Sequence, residues 1–294
     1  MVNERLAEKF NIEEYHRPQS IQEAQLMLAR HGDKSRLLAG GTDLLVKRPE
    51  GVTCIIDLKD LHLDYIRGNP DGIHIGAMTT FNQLLNSPLM HVNPYNVLTD
   101  AARQMGHRNI RNLATIGGNI CNAVPSADAA PPLIALESRA VIAAAGADRI
   151  IPLEELFKGV RETTLAPGEI LREIFLPQQS YKAGASFKKL GRTQVDIALV
   201  NTAVRLILNE DDVCTEAKIV LGSVAPTPMR AREAENTLID QSITEKTTTD
   251  AALYASEEAN PISDKRASAD YRREMTRVLV RRAILEAHER ALGA

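Results

Sequence analysis

LLAGGTDLL, from Leu37 to Leu45, and ATIGGNIC, from Ala114 to Cys121, decide how this chain is read. In each, a Gly-Gly pair sits between apolar residues, where the bare backbone lets several amide N–H groups converge on one anion. Neither stretch contains Lys or Arg, which points to a phosphate held by amides and hydroxyls rather than by charge. Two such stretches suggest a ligand with two adjacent phosphates, gripped from both sides. The competing reading is a pair of tight turns, glycine's ordinary task. Neither stretch is a Walker A motif, since no Lys-Ser/Thr follows, and neither has GxGxxG spacing. Hydrogen-bonding residues follow each pair (Thr42-Asp43 and Asn119), and on residue types alone the two readings stand level.

Around the first stretch the pattern is that of a small α/β unit. Residues 20–31 predict a helix capped by Ser20 with Glu23 three residues on. The apolar run Arg36 to Ala39 enters the glycine turn, and Cys54 to Leu58 is a buried-strand candidate. Further on, 72–80 alternates like a strand, Phe81 to Leu85 starts a helix, and Leu98 to Met105 is another helix leading into the second glycine loop. Short strands are expected at 140–145, 149–153 and 169–176, and the polar stretch 178–183 marks a domain boundary. Strands at 197–208 and 217–224 follow, then helices at 230–240, 247–258 and 268–292. The last has an apolar stripe of Tyr271, Met275, Val278, Leu279 and Ile284.

The chain has 294 residues, enough for two domains or one large domain with a lobe. Hydrophobic residues make up 44% and charged residues 25%, as in ordinary globular proteins. Lys+Arg 35 against Asp+Glu 38 leaves a net charge of −3, which gives no support to nucleic acid or an anionic membrane as partner. Trp is absent and aromatics reach only 4%, which argues against a base-stacking platform. The charged start MVNERLAEKFNIEEYHRP lacks an apolar signal core, and no stretch approaches a membrane span. Three isolated cysteines (Cys54, Cys121, Cys214) fit reduced thiols in a cytosol and cannot house an iron–sulfur cluster. The seven histidines, among them His16 and His31, are scattered without HxxxH or HExxH spacing, so no metal ligands are assigned.

Other constellations stay open. Ser126-Ala-Asp128 could offer a hydroxyl and a carboxylate to a ribose or phosphate, or could cap a helix ahead of Pro131. There is no GxSxG elbow. The terminal helix carries Arg272, Arg273, Arg277, Arg281 and Arg282, interleaved with Glu274, Glu286 and Glu289. It reads as a solvated face before a polyanion site or a partner surface.

LLAGGTDLLVK, IRNLATIGGNICNAVPSAD, FKKLGR, GSVAPTPMRAREAE and KRASADYRREMTRVLVRRAI follow one another in that order. Together they make the chain similar to the FAD-binding medium subunit of the molybdenum hydroxylase family, which includes bacterial xanthine dehydrogenases and carbon monoxide dehydrogenase. The resemblance implies an α+β fold. An FAD-binding domain of the PCMH/vanillyl-alcohol-oxidase-like type would span 1–177, in subdomains of about 1–60 and 61–177. A smaller C-terminal α+β domain of the CO dehydrogenase flavoprotein C-terminal type would span 178–294.

The resemblance also implies roles. Arg36, Leu37, Leu38, Ala39, Gly40, Gly41, Thr42 and Asp43, with Thr115, Ile116, Gly117, Gly118 and Asn119, match the segments that hold the FAD diphosphate. Asp128, Leu171, Lys188 and Met105 match further cofactor contacts, and Gly191 to Ile197 is expected near the flavin ring. No catalytic side chain is implied, because the flavin does the redox chemistry. Val at Gly41 or Gly117 is expected to expel FAD while keeping the fold. The implied partners are a large subunit with the molybdenum cofactor and a small subunit with two [2Fe–2S] clusters, in a cytoplasmic dimer of heterotrimers. Electrons would pass from those clusters through FAD to an external acceptor. The four-cysteine insertion of the branch that reduces 4-hydroxybenzoyl-CoA is missing from this sequence. The rivals are a flavoprotein oxidase or reductase acting alone, and a cofactor-free scaffold subunit.

Overall fold

A computed structural model describes residues 10–293; the N-terminal stretch read for a targeting signal therefore lies partly outside the described residues. Strands β1 (Glu14–His16), β2 (Ser35–Leu38) and β3 (Cys54–Asp57) form a parallel sheet of order β1-β3-β2. Parallel neighbours need a crossover, and helix α1 (Ile21–His31) supplies it. Ser20 Oγ accepts the Glu23 amide at 3.1 Å, and the Glu23 carboxylate accepts the Gln19 amide at 2.7 Å. The apolar face of α1 packs through Ala24 on Cys54, Ile56 and Leu58. After β2 the chain turns through Gly40-Gly41 into the one-turn helix α2 (Leu44–Lys47).

The next part is an antiparallel sheet of order β4-β5-β10-β6-β7. Its strands are β4 (Ile66–Asn69), β5 (Gly72–Gly76), β6 (Arg139–Ala143), β7 (Arg149–Pro152) and, after a hairpin of β8 (Phe157–Gly159) and β9 (Glu162–Thr163), β10 (Ile170–Pro177). Between β5 and β6 lie α3 (Phe81–Asn86), α4 (Asn96–Gln104), α5 (Arg108–Leu113), α6 (Ile116–Cys121) and α7 (Ala130–Ala135). Helix α6 corrects the sequence reading, which expected a loop there. Thr115 caps it, its Oγ1 accepting the Gly118 amide at 3.0 Å, and Ile116 and Ile120 are buried beneath. Cap and burial together outweigh glycine's helix penalty of about 1 kcal/mol per residue.

Residues 178–182 lead into a second antiparallel sheet of order β11-β12-β13-β14, with β15 also on β13. The strands are β11 (Ala183–Leu190), β12 (Val200–Leu208), β13 (Val213–Gly222), β14 (Met229–Arg230) and β15 (Gln241–Ser242), joined by α8 (Arg232–Leu238), α9 (Glu245–Glu258) and α10 (Ala269–Ala291). This sheet is buried on both faces. Val204, Leu206, Ile219 and Leu221 pack under the helices, while Ala185, Phe187, Ala203 and Val220 join the core that holds Phe81, Leu133 and Ile142. Each large side chain so buried contributes about 1.5–3 kcal/mol.

Helix α10 differs in detail from the expected stripe. Thr276, Leu279, Val280, Ala283, Ile284 and Ala287 are buried, and Tyr271 is exposed. Arg272 leaves the solvated face expected for the arginines: it is buried, donating to the Leu199 carbonyl and the Asp264 carboxylate. Among the described residues, no helix is long and apolar enough to cross a membrane.

Candidate functional site

The two glycine segments, one at the exit of β2 and the other on helix α6, meet at one cleft of about 730 Å³, within the usual size range of small-molecule and cofactor sites. Their backbones abut. A Cβ on Gly40 would lie 1.9 Å from the Leu113 carbonyl oxygen, so only glycine lets β2's exit pass against the end of α5. Gly41 has φ +70°, the left-handed turn that sends the chain into α2. Gly117 is glycine for a different reason: its Cβ would meet Ala77 at 2.6 Å, and its amide donates to the Ala77 carbonyl at 2.9 Å. Val at Gly117 therefore damages the α6–β5 contact itself, contrary to the expectation of a retained fold.

The amides of the two segments are used differently. In the second, Ile116, Gly117, Gly118 and Asn119 all donate within the protein, to Thr79, Ala77 and Thr115. In the first, the amides of Gly40, Gly41, Thr42 and Asp43 have no acceptor among the described residues. What the second segment offers is side chains. Asn119 lines the cleft with a buried Oδ1 that has no hydrogen-bond partner among the described residues. The four bare amide donors form a cradle that a phosphate would complete, while the Asn119 oxygen is an acceptor and takes a donor from the ligand, such as a hydroxyl or a ring N–H.

Of the residues expected here, Arg36, Leu37, Ala39, Gly40, Gly41, Thr42, Asp43, Met105, Thr115, Gly117, Gly118, Asn119, Asp128 and Leu171 line the cleft. Leu38, Ile116 and Lys188 do not. Ile116 is fully buried in the core. Lys188 is placed by strand alternation. In β11, Ala185, Phe187 and Lys189 share the face turned to the cleft, with Phe187 opposite Ala203 and Lys189 opposite Asn201. Ser186 and Lys188 point the other way, and both contact Glu286 of α10.

Of the two lysines in the FKK motif, Lys189 is the one that lines the cleft. Its ammonium donates to Asp128 Oδ2 at 2.6 Å and to the Gln104 carbonyl at 2.9 Å. Asn201 donates to Asp128 Oδ1 at 2.9 Å. Burial pushes the Asp128 carboxyl up, and the Lys189 ammonium and Asn201 amide favour its ionised form. An ammonium has three donors, so one of Lys189's remains beyond these two contacts.

Two further cations were missed because they lie outside the glycine stretches. Lys47, at the end of α2, donates to Asn122 Oδ1 at 2.6 Å and lies 3.3 Å from Asp43. Arg161 reaches the same Asn122 oxygen at 3.1 Å. Both line the cleft. The available signal for Lys47 was its place four residues after Asp43, one helical turn on; Arg161 had none. The remaining wall is largely apolar, with Met78, Ile110, Val124 and Leu165, and with Val195 and Ile197 from the segment after β11. Cys121 also lines the cleft, but burial pushes its thiol up to about 12, which keeps it protonated and inert. The residues present thus fit a dinucleotide diphosphate: bare amides and two cations for the phosphates, apolar walls for flat rings.

Comparison with known proteins agrees with this geometry. Residues 8–179 match the family described as FAD binding domain in molybdopterin dehydrogenase, and residues 185–287 match the CO dehydrogenase flavoprotein C-terminal domain. The chain is 33% identical over 284 residues to the glyceraldehyde dehydrogenase medium chain of Sulfolobus acidocaldarius, covering 92% of this chain and 97% of that one. It is 32% identical over 285 residues to the carbon monoxide dehydrogenase medium chain of Afipia carboxidovorans, covering 95% and 97%. A chain of the solved carbon monoxide dehydrogenase from Hydrogenophaga pseudoflava, the form lacking the Mo-pyranopterin moiety, superposes with a TM-score of 0.91 at 32% identity, covering 96% of this chain and 99% of that one.

Proposed function

The chain belongs to the FAD-binding family of molybdopterin dehydrogenases, as an oxidoreductase subunit of two-domain α+β architecture, and on that premise we propose that it is the flavin-carrying electron-transfer subunit of a cytoplasmic molybdenum hydroxylase. Its partners are a large subunit with the molybdenum cofactor and a small subunit with two [2Fe–2S] clusters, assembled as a dimer of heterotrimers. The domain boundary falls at 177/178. The chemistry that bound FAD supplies is electron transfer, from the clusters of the small subunit to an external acceptor.

The side chains of this subunit bind and orient. The amides of Gly40 to Asp43, with Lys47 and Arg161, hold the diphosphate. From α6 the Asn119 oxygen accepts from a hydroxyl or ring N–H of the cofactor, and Thr115 lines the cleft beside it. Met105 and Leu171 exclude water from the rings, and the Asp128–Lys189 pair fixes the floor of the cleft where the two domains meet. The observation that carries this reading is the row of four unengaged amides set against Asn119 in one cleft.

Native purification with the neighbouring subunits tests it. The expected product is yellow, with flavin bands at roughly 370 and 450 nm, and contains iron and molybdenum. Colourless protein would support the scaffold reading, and turnover of an organic substrate by the isolated chain would support the stand-alone flavoprotein. An intact native complex without either metal rejects the proposal.

A further inference from the structure

Away from the cleft, three residues far apart in sequence come together on the first sheet. His16, His31 and Cys54 each offer a ligand atom, and these atoms all lie within 4.8 Å of one another. The fold makes the meeting obligatory. Glu14 and His16 are two apart on β1 and so share a face, and Glu14 lies opposite Cys54 in the parallel register of β1 with β3. Helix α1 covers that face, and His31 is its last residue. The two imidazoles lie 5.6 Å apart between ring centres. Glu14 sits between them, 3.0 Å from His16 Nε2 and 3.6 Å from His31 Nδ1.

We propose that Cys54, His16, His31 and Glu14 form a structural zinc site. A thiolate, two imidazoles and a carboxylate are ligands that Zn²⁺ accepts in tetrahedral sites. Two negative ligands balance the dication, and the thiol proton is released to solvent as the Zn–S bond forms. With Zn–N near 2.0–2.1 Å and Zn–S near 2.3 Å, tetrahedral ligand atoms lie about 3.3–3.8 Å apart. The His16, His31 and Cys54 ligand atoms, within 4.8 Å of one another, therefore close by about 1 Å, within reach of side-chain rotation at His16, whose side chain is 30% exposed, and Glu14, already beside both imidazoles, completes the set. Zinc here pins β1 and the end of α1 to β3, in the sheet whose β2 leads into Gly40-Gly41. Its role is to hold one wall of the cleft, apart from any redox step.

The test uses the full chain purified without chelators and equilibrated with zinc ions. Metal analysis after gel filtration should find one zinc per chain. X-ray absorption at the zinc edge should show one sulfur near 2.3 Å and nitrogen or oxygen near 2.0 Å. Cys54→Ser and His31→Gln should each weaken zinc binding by more than about 100-fold, beyond what loss of an outer hydrogen-bond partner costs. Cys54 is buried, so if Cys54→Ser unfolds, His31→Gln and His16→Gln decide the matter, with retained circular dichroism showing that the fold survives. Zinc bound without sulfur, no zinc retained, or affinity unchanged in the folded variants overturns the proposal.

Discussion

Lys188 and Lys189 are neighbours in sequence and opposites in space. Lys189 is buried against Asp128, whereas Lys188 pairs with Glu286 in a partly exposed setting. Removing one partner of a buried pair leaves an uncompensated charge and costs about 3–5 kcal/mol, whereas a partly exposed pair is worth about 0–1 kcal/mol. Lys189→Met should therefore lower stability by several-fold more than Lys188→Met in urea denaturation, and only Lys189→Met should release flavin on gel filtration. Equal losses in the two variants would refute the assignment of faces. The motif FKK pointed to a lysine near the cofactor, but which lysine depends on where β11 begins its alternation. That register is fixed by pairing with β12, and no local signal carries it. Arg161 shows the same limit: nothing around it in sequence places it beside Asn122.

Among the elements, α6 is where local reading and tertiary context parted. A Gly-Gly pair argues for a turn, and Thr115 with Ile116 and Ile120 made it a helix. Thr115→Val removes the cap and should cost about 1 kcal/mol. Gly117→Ala places a methyl against the Ala77 backbone and should cost more, with a lower urea midpoint than Thr115→Val; the reverse order would mean that α6 can shift away from β5. Elements with strong periodicity were legible. The Ser20-capped helix, β12 and β13 stand within a few residues of where their patterns placed them, because their apolar faces meet the core directly, whereas β11 was not foreseen. The arginines of α10 were less so, since Arg272 is buried by a pairing with Asp264 that sequence spacing does not announce.

At the scale of the whole molecule, Arg205 links the parts. Buried on β12, it donates to Gln179 in the connector at 2.7 Å, to Glu137 after α7 at 2.7 Å and to Glu216 on β13 at 2.5 Å. Burial pushes the Glu137 carboxyl up, but the Arg205 charge and the Lys218 contact pull it further down, below the ordinary carboxylate value. A depressed folded value means the stabilisation is present above the unfolded value of about 4.3 and is lost as pH falls through the folded one. The denaturation midpoint should therefore drop as pH falls below about 4.3, and Glu137→Gln should flatten that acid limb; an unchanged limb would remove Arg205–Glu137 from the account. The strand order β4-β5-β10-β6-β7 was beyond sequence reading for a related reason. Strand β10 comes last in the chain yet lies between β5 and β6, a placement governed by the common core rather than by any local preference. The family resemblance supplied the architecture that periodicity could not.

The sheet of β11 to β14 carries a buried core on each face. Moving this layer away from either neighbour opens a buried core, which resists hinging between the halves. If the chain is the electron relay proposed above, this is a matter of electronic coupling. Tunnelling falls off exponentially with the gap between donor and acceptor, and a wall that drifted by a fraction of an ångström would modulate every transfer. On that proposal, a sheet with a core on each face helps hold the flavin's wall at a fixed distance from its electron donor.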